Sequence, residues 1–182
     1  MLDVNDRKEW RAWLGRHFDS EKEVWLVFPN KSSGKPAISY NNAVEEALCF
    51  GWIDSTVRSF SEGSHIQRFT PRNPKSTYSQ PNRERLKWLD KEGLLHPSVK
   101  EAVKDVLREK FSFPEDIIQA IRSDELAWEN YQKFSPAYQR IRVAYIEGAR
   151  KRPEEFKKRL ANFVLKTHRN KLIGYGGIEK YY

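Results

Sequence analysis

Arginines, hydroxyl side chains and one carboxylate recur between residues 52 and 76 at spacings that gather them on a β-hairpin. Trp52–Phe60 alternates as a strand does, with Ile53, Ser55 and Val57 on one face and Trp52, Asp54, Thr56 and Arg58 on the other. Ser61-Glu62-Gly63-Ser64 reads as a turn, and His65–Thr70 as a returning strand with Ile66, Arg68 and Thr70 on one face. If the two polar faces coincide, Asp54, Thr56, Arg58, Arg68 and Thr70 converge beside Trp52, and Arg72, Lys75 and Ser76 overhang from the following loop. A guanidinium offers a planar fork to phosphate or carboxylate, a hydroxyl adds a neutral donor, and a ring can stack on a base. Residues 58–87 carry seven basic and two acidic side chains, which favours the same partner. The expectation is a site for a small anionic ligand, nucleotide- or phosphate-like, at the 52–76 hairpin face. Arg68 and Arg72 would anchor it, Arg58 and Lys75 support it, and Asp54 and Thr70 orient it. The competing reading pairs Asp54 with Arg58 or Arg68 inside the fold and puts Trp52 in the core.

Other constellations are weaker. Cys49, His65 and Asp54 are the residue types of a nucleophile, a base and an orienting acid. However, Cys49 falls in the last turn of a helix, where the dipole opposes a thiolate. His17, His65, His96 and His168 have no second ligand at metal-motif spacing, so neither a metal nor a cofactor is expected. Glu45-Glu46 and Glu154-Glu155 read as first-turn acids that favour the helix dipole. Ser33-Gly34-Lys35 lacks the upstream glycine of a phosphate loop. Residues 133–171 hold twelve basic and three acidic groups, with Tyr138, Tyr145, Phe156 and Phe163 interleaved. That stretch could take nucleic acid through phosphate contacts, or it is a solvated face over an aromatic core. An enzyme using the hairpin pocket is a further alternative, with no reaction named.

These residues need elements to position them. Trp10, Trp13, Leu14 and His17 at i, i+3, i+4 and i+7 make one face of a helix over 5–17. Glu23–Phe28 is a short apolar run with β-branched and aromatic residues, a buried strand. Asn42 followed by Glu45 predicts a helix start, continuing through Phe50 and stopped by Gly51. From Asn82 onward the pattern is helical, over 82–92, 97–109, 114–122, 125–132, 136–150 and 153–167, several of them opened by a proline. A mixed N-terminal half and an all-helical C-terminal half predict an α+β fold with a small antiparallel sheet. The expected organisation is one domain over 1–182, with lobes at 1–80 and 81–172 and a flexible tail at 173–182.

Bulk properties limit the class. Aromatic residues make up 13% of the 182-residue chain, enough ring area to build a core. With one cysteine the chain cannot form an internal disulfide, which fits a reducing compartment. No secretory signal is read at MLDVNDRKEW, and no run is long and apolar enough to insert in a membrane, so a cytoplasmic protein is expected. Nothing in the sequence sets an oligomeric state.

Two long stretches, Glu45–Asp54 (EEALCFGWID) and Gln67–Ser76 (QRFTPRNPKS), are followed by Ser79 and Asn82-Arg83-Glu84. Together they resemble the YdeI/OmpD-associated family, also labelled bacteriocin-protection proteins. Val24-Trp25-Leu26, Ser33-Gly34-Lys35, Phe134–Tyr138 and Tyr145–Glu154 fit as well. Ser55 stands where the family commonly has glycine, Tyr78 where it usually has tryptophan, and Pro81 interrupts the approach to the next helix. The resemblance implies a cytoplasmic bacterial α+β protein with a protection phenotype against bacteriocins or antimicrobial peptides. It implies no reaction and no catalytic set.

Overall fold

The computed structural model describes residues 1–30, 34, 36–61 and 63–174. Expectations that fall on Ser33, Lys35, Glu62 and the tail beyond Gly174 lie outside the described residues. The fold is α+β, and the chain divides into two compact units. One comprises residues 1–78 and 85–107; the other comprises 79–84 and 108–182.

The first unit is built on helix α1 (Arg7–His17), strand β1 (Val24–Pro29), helix α2 (Tyr40–Cys49) and strands β2 (Trp52–Ser61) and β3 (Ser64–Pro71). Most of helix α3 (Gln80–Lys91) and the short helices α4 (Pro97–Ala102) and α5 (Lys104–Arg108) follow. The run expected as one helix over 97–109 is broken at Val103, which caps α4 with a non-helical backbone although no Pro or Gly marks the place. The Asp6 carboxylate caps α1, accepting from the backbone N–H of Lys8 and Glu9 at 2.7 and 2.9 Å. Trp10 and Leu14 are fully buried, as the apolar face of α1 requires. The Trp10 indole N–H donates to the Ala43 carbonyl at 3.0 Å, so the buried ring leaves no polar atom unsatisfied.

Helix α2 starts earlier than expected. Ser39, not Asn42, is its cap, with Oγ accepting from the Asn42 N–H at 3.3 Å. Glu45 and Glu46 are therefore mid-helix rather than first-turn acids, and both are buried. Arg7 Nη1 donates to Glu45 at 2.8 Å, Arg7 Nε bonds Glu46, and Arg11 Nη1 donates to Glu46 at 2.7 Å. Gly51 ends the helix with φ +74°, a conformation that favours glycine.

The sheet has the order β1-β3-β2, all antiparallel. One face carries Val24, Leu26, Phe28, Gln67, Phe69 and Trp52 and is buried. The registers Trp25↔Arg68, Val27↔Ile66, Ile53↔Thr70 and Arg58↔Ile66 put those residues on the opposite, outer face. Leu2 bridges Leu26 and covers the free edge of β1.

In the second unit, helices α6 (Glu115–Arg122), α7 (Glu125–Lys133), α8 (Pro136–Glu147) and α9 (Pro153–His168) enclose a core of Ile117, Ile121, Tyr131, Tyr138, Ile146 and Phe163. Pro81 in the first turn of α3 is tolerated there, because first-turn N–H groups have no helical acceptor. The buried Glu84 carboxylate takes both Nε and Nη2 of Arg140 at 2.7 Å. Asn130 donates to the carbonyls of Thr167 and His168, satisfying the C-terminus of α9. No helix among the described residues is long and apolar enough to cross a membrane.

Candidate functional site

A β-bulge decides what the hairpin can do. The register runs Asp54↔Phe69 and then Val57↔Gln67, so Ser55 and Thr56 together oppose Arg68 alone. The extra residue inverts the alternation of β2 from Val57 onward. Trp52 and Asp54 therefore face the core side, while Arg58 returns to the outer face with Arg68 and Thr70. The expected single face of Trp52, Asp54, Thr56 and Arg58 does not form, because strict alternation cannot anticipate a two-against-one pairing.

Each residue of the expected set has a definite place. Trp52 is 1% exposed; its ring meets Trp13 edge-on at 5.9 Å and its indole N–H donates to the Phe18 carbonyl at 2.9 Å. It is a core residue, as the competing reading held. Asp54 accepts from the Tyr40 hydroxyl at 2.6 Å, which places it against the start of α2 rather than beside the arginines. The Arg72 backbone N–H donates to the Gly51 carbonyl at 2.9 Å. The Arg72 guanidinium lies over the Tyr78 ring, 3.5 Å from its centre, and reaches the carbonyls of Asn73 and Ser76. Arg72 thus braces the loop from which it was expected to overhang the hairpin. Lys75 and Ser76 are exposed on that loop, with the Lys75 N–H bonded to Asn73 Oδ1 at 2.9 Å.

On the outer face, four side chains meet. The Arg58 guanidinium sits 4.8 Å from the centre of the Trp25 ring. Arg68 Nε donates to Glu23 Oε2 at 2.8 Å, and its Nη2 bonds the same oxygen. The Trp25 indole N–H approaches Glu23 Oε1 at 3.3 Å. The Arg68 fork and then the indole hold the Glu23 carboxyl below the usual carboxylate range, with a contribution from the Arg58 charge. Thr70 lies on the same face beside Ile53. Trp25 and Glu23 escaped the sequence reading because both lie on β1 or just before it. Only the Trp25↔Arg68 register brings them to the hairpin.

Cys49, His65 and Asp54 do not assemble. Cys49 is buried at the end of α2 near Arg11 and Glu46, His65 stacks on Phe28 at 5.4 Å, and Asp54 is bonded to Tyr40. Burial and then the Glu46 charge push the Cys49 thiol up to about 12, which leaves it an inert thiol at neutral pH. Among the described residues no group of three His, Cys, Asp or Glu side chains is placed to hold a metal ion. In the basic 133–171 stretch, Arg140 is taken by Glu84, Arg150 by Asp116 and Glu147, and Arg159 by Glu155, while Arg142 is buried.

A family model described as a domain of unknown function (DUF8412) matches residues 2–102, which contain the sheet, the bulge and the outer-face arginines. The chain belongs to that family. Residues 110–170 match the model described as "Bacteriocin-protection, YdeI or OmpD-Associated", in agreement with the resemblance carried by the sequence motifs. The motifs at 45–54 and 67–76 lie within the DUF8412 match, and those at 134–138 and 145–154 within the bacteriocin-protection match. No curated protein and no solved structure matches the chain.

Proposed function

We propose that this YdeI/OmpD-associated protein binds a small phosphate- or carboxylate-bearing anion on the outer sheet face, in the cradle of Arg58, Arg68 and Trp25, and works as a cytoplasmic binding protein rather than as an enzyme. Thr70 borders the cradle, and Lys75 and Ser76 on the 71–76 loop are available to extend it. The observation that carries this reading is the position of Glu23. Its half-exposed carboxylate sits in the arginine fork and is held ionised there, so it stands in for the anion that the cradle is shaped to take. An incoming anion would displace Glu23 from Arg68 and gain the Arg58 charge at the edge of the ring.

The test is thermal stabilisation of the purified protein by nucleotides, sugar phosphates, small carboxylates and short DNA or RNA, each at low and high salt. At about 100 times its dissociation constant a bound ligand adds about 2.7 kcal/mol, a shift of several degrees for a chain of this size. Stabilisation by one small anion that Arg68→Ala abolishes and Glu23→Gln enhances supports the cradle. Stabilisation only by polymers, lost at high salt, transfers the function to the basic helices. Turnover of a bound anion would make the protein an enzyme.

A further inference from the structure

Between α8 and α9 the second unit holds an open cavity of about 420 Å³, within the range of small-molecule sites. We propose that this cavity is a second, independent site, for an amphipathic carboxylate with an aromatic or short alkyl body. Its apolar wall is Ile173 and the exposed Tyr145 ring, above Ile146 and Phe163, which the fold already covers almost wholly. The Ile173 wall is fixed. Arg142, itself 3% exposed, donates through Nη2 to the Ile173 carbonyl at 2.6 Å and the Gly174 carbonyl at 3.0 Å. The Ile173 N–H donates to the Tyr138 hydroxyl at 2.9 Å.

Charge selects the head group. The one acid of the lining, Glu155, is bound by Arg159 Nε at 2.7 Å, and the Arg159 guanidinium is locked over the Tyr145 ring, 3.9 Å from its centre. Lys158 and Asn162, one helical turn apart on α9, line the same cavity. Both are exposed, and among the described residues neither has a hydrogen bond or ion pair. With Arg142, Lys158 and Arg159 set against Glu155, the lining is net positive. A carboxylate at Lys158 Nζ and the Asn162 amide therefore meets donors with no hydrogen-bond partner, while its apolar body lies along Ile173 and the exposed Tyr145 ring. A neutral molecule of the same shape would forgo that ion pair.

The experiment is calorimetric titration of the full chain with hydrocinnamate and with its neutral amide. In the Arg68→Ala chain, whose sheet cradle is disabled, one-site saturable binding of the acid is expected, with the amide weaker by about twofold to fivefold from the loss of one exposed ion pair. In the same Arg68→Ala background Lys158→Gln should weaken the acid by a similar factor without changing the melting temperature. Absence of saturable binding overturns the proposal, as does equal binding of acid and amide. Binding that survives Lys158→Gln and is lost in Arg68→Ala overturns it too, and assigns the acid to the sheet cradle.

Discussion

The Tyr40 hydroxyl donates to Asp54 Oδ2 at 2.6 Å, joining the first turn of α2 to the last residue of β2 before the bulge. This bond is the mark of the inverted strand: Asp54 faces α2, and Arg58, four residues on, faces the opposite way. Tyr40→Phe should lower stability by about 0.5–1.5 kcal/mol, read as a fall in the urea midpoint at unchanged m-value. It should leave the anion response of the outer face intact. Loss of that response with stability preserved would move Asp54 into the binding site.

Most of the architecture was legible, because it rests on periodicity. The Trp10/Leu14 stripe, the apolar run of β1, the Gly51 stop and the prolines opening α4, α8 and α9 are local signals. The candidate site was half legible. Arg58, Arg68 and Thr70 do share a face, but for a reason that alternation contradicts, since one extra residue at Ser55-Thr56 reverses everything after it. Trp25 and Glu23 depend on a strand pairing across more than forty residues, for which no local pattern exists. The same holds for the buried Glu45 and Glu46, whose partners Arg7 and Arg11 come from another helix.

That four-residue cluster carries a prediction about stability. Removing Glu46 leaves two arginines against a buried wall with one carboxylate fewer. Burial works against the charge of Arg7 and of Arg11, and the bonds and charge of Glu46, with Glu45 for Arg7 and Cys49 for Arg11, together more than offset it, raising both above the ordinary guanidinium value. Glu46→Ala should cost about 3 kcal/mol, at the low end for a broken buried pair, because Arg7 and Arg11 keep some access to water. Glu46→Gln, which retains an acceptor, should cost less. Equal urea midpoints for Glu46→Ala and the parent protein would show that the cluster adds nothing net to folding.

Acid stability should depend on the cap of α7. The Ala127 N–H and then His168 hold the Asp124 carboxyl below its ordinary value of 3.8. A lowered carboxylate favours the folded state above its unfolded pKa, and that contribution disappears as pH falls through the folded value. Asp124→Asn keeps a capping acceptor but removes the charge. Its melting temperature should lie below the parent's at neutral pH, and the two curves should converge below the ordinary carboxylate range, about pH 3.9. A difference that persists undiminished in acid would mean that the Asp124 charge is not its source.

Alkaline stability should depend on Cys49, with the opposite sign. The folded thiol is raised from 9.0 to about 12 by burial first and by the Glu46 charge second, so the folded state holds its proton where the unfolded state has lost it. The contribution is complete below pH 9.0 and is lost as pH rises toward about 12. The parent curve alone cannot isolate the thiol. The difference between the parent and Cys49→Ala can: their urea midpoints should keep a constant separation up to pH 9 and drift together above it. The same burial predicts that a disulfide reagent at neutral pH labels Cys49 only as fast as the first unit opens, with the rate rising with urea. Fast stoichiometric labelling of the folded chain would mean an accessible, ionised sulfur, and would return Cys49 to the list of candidate nucleophiles.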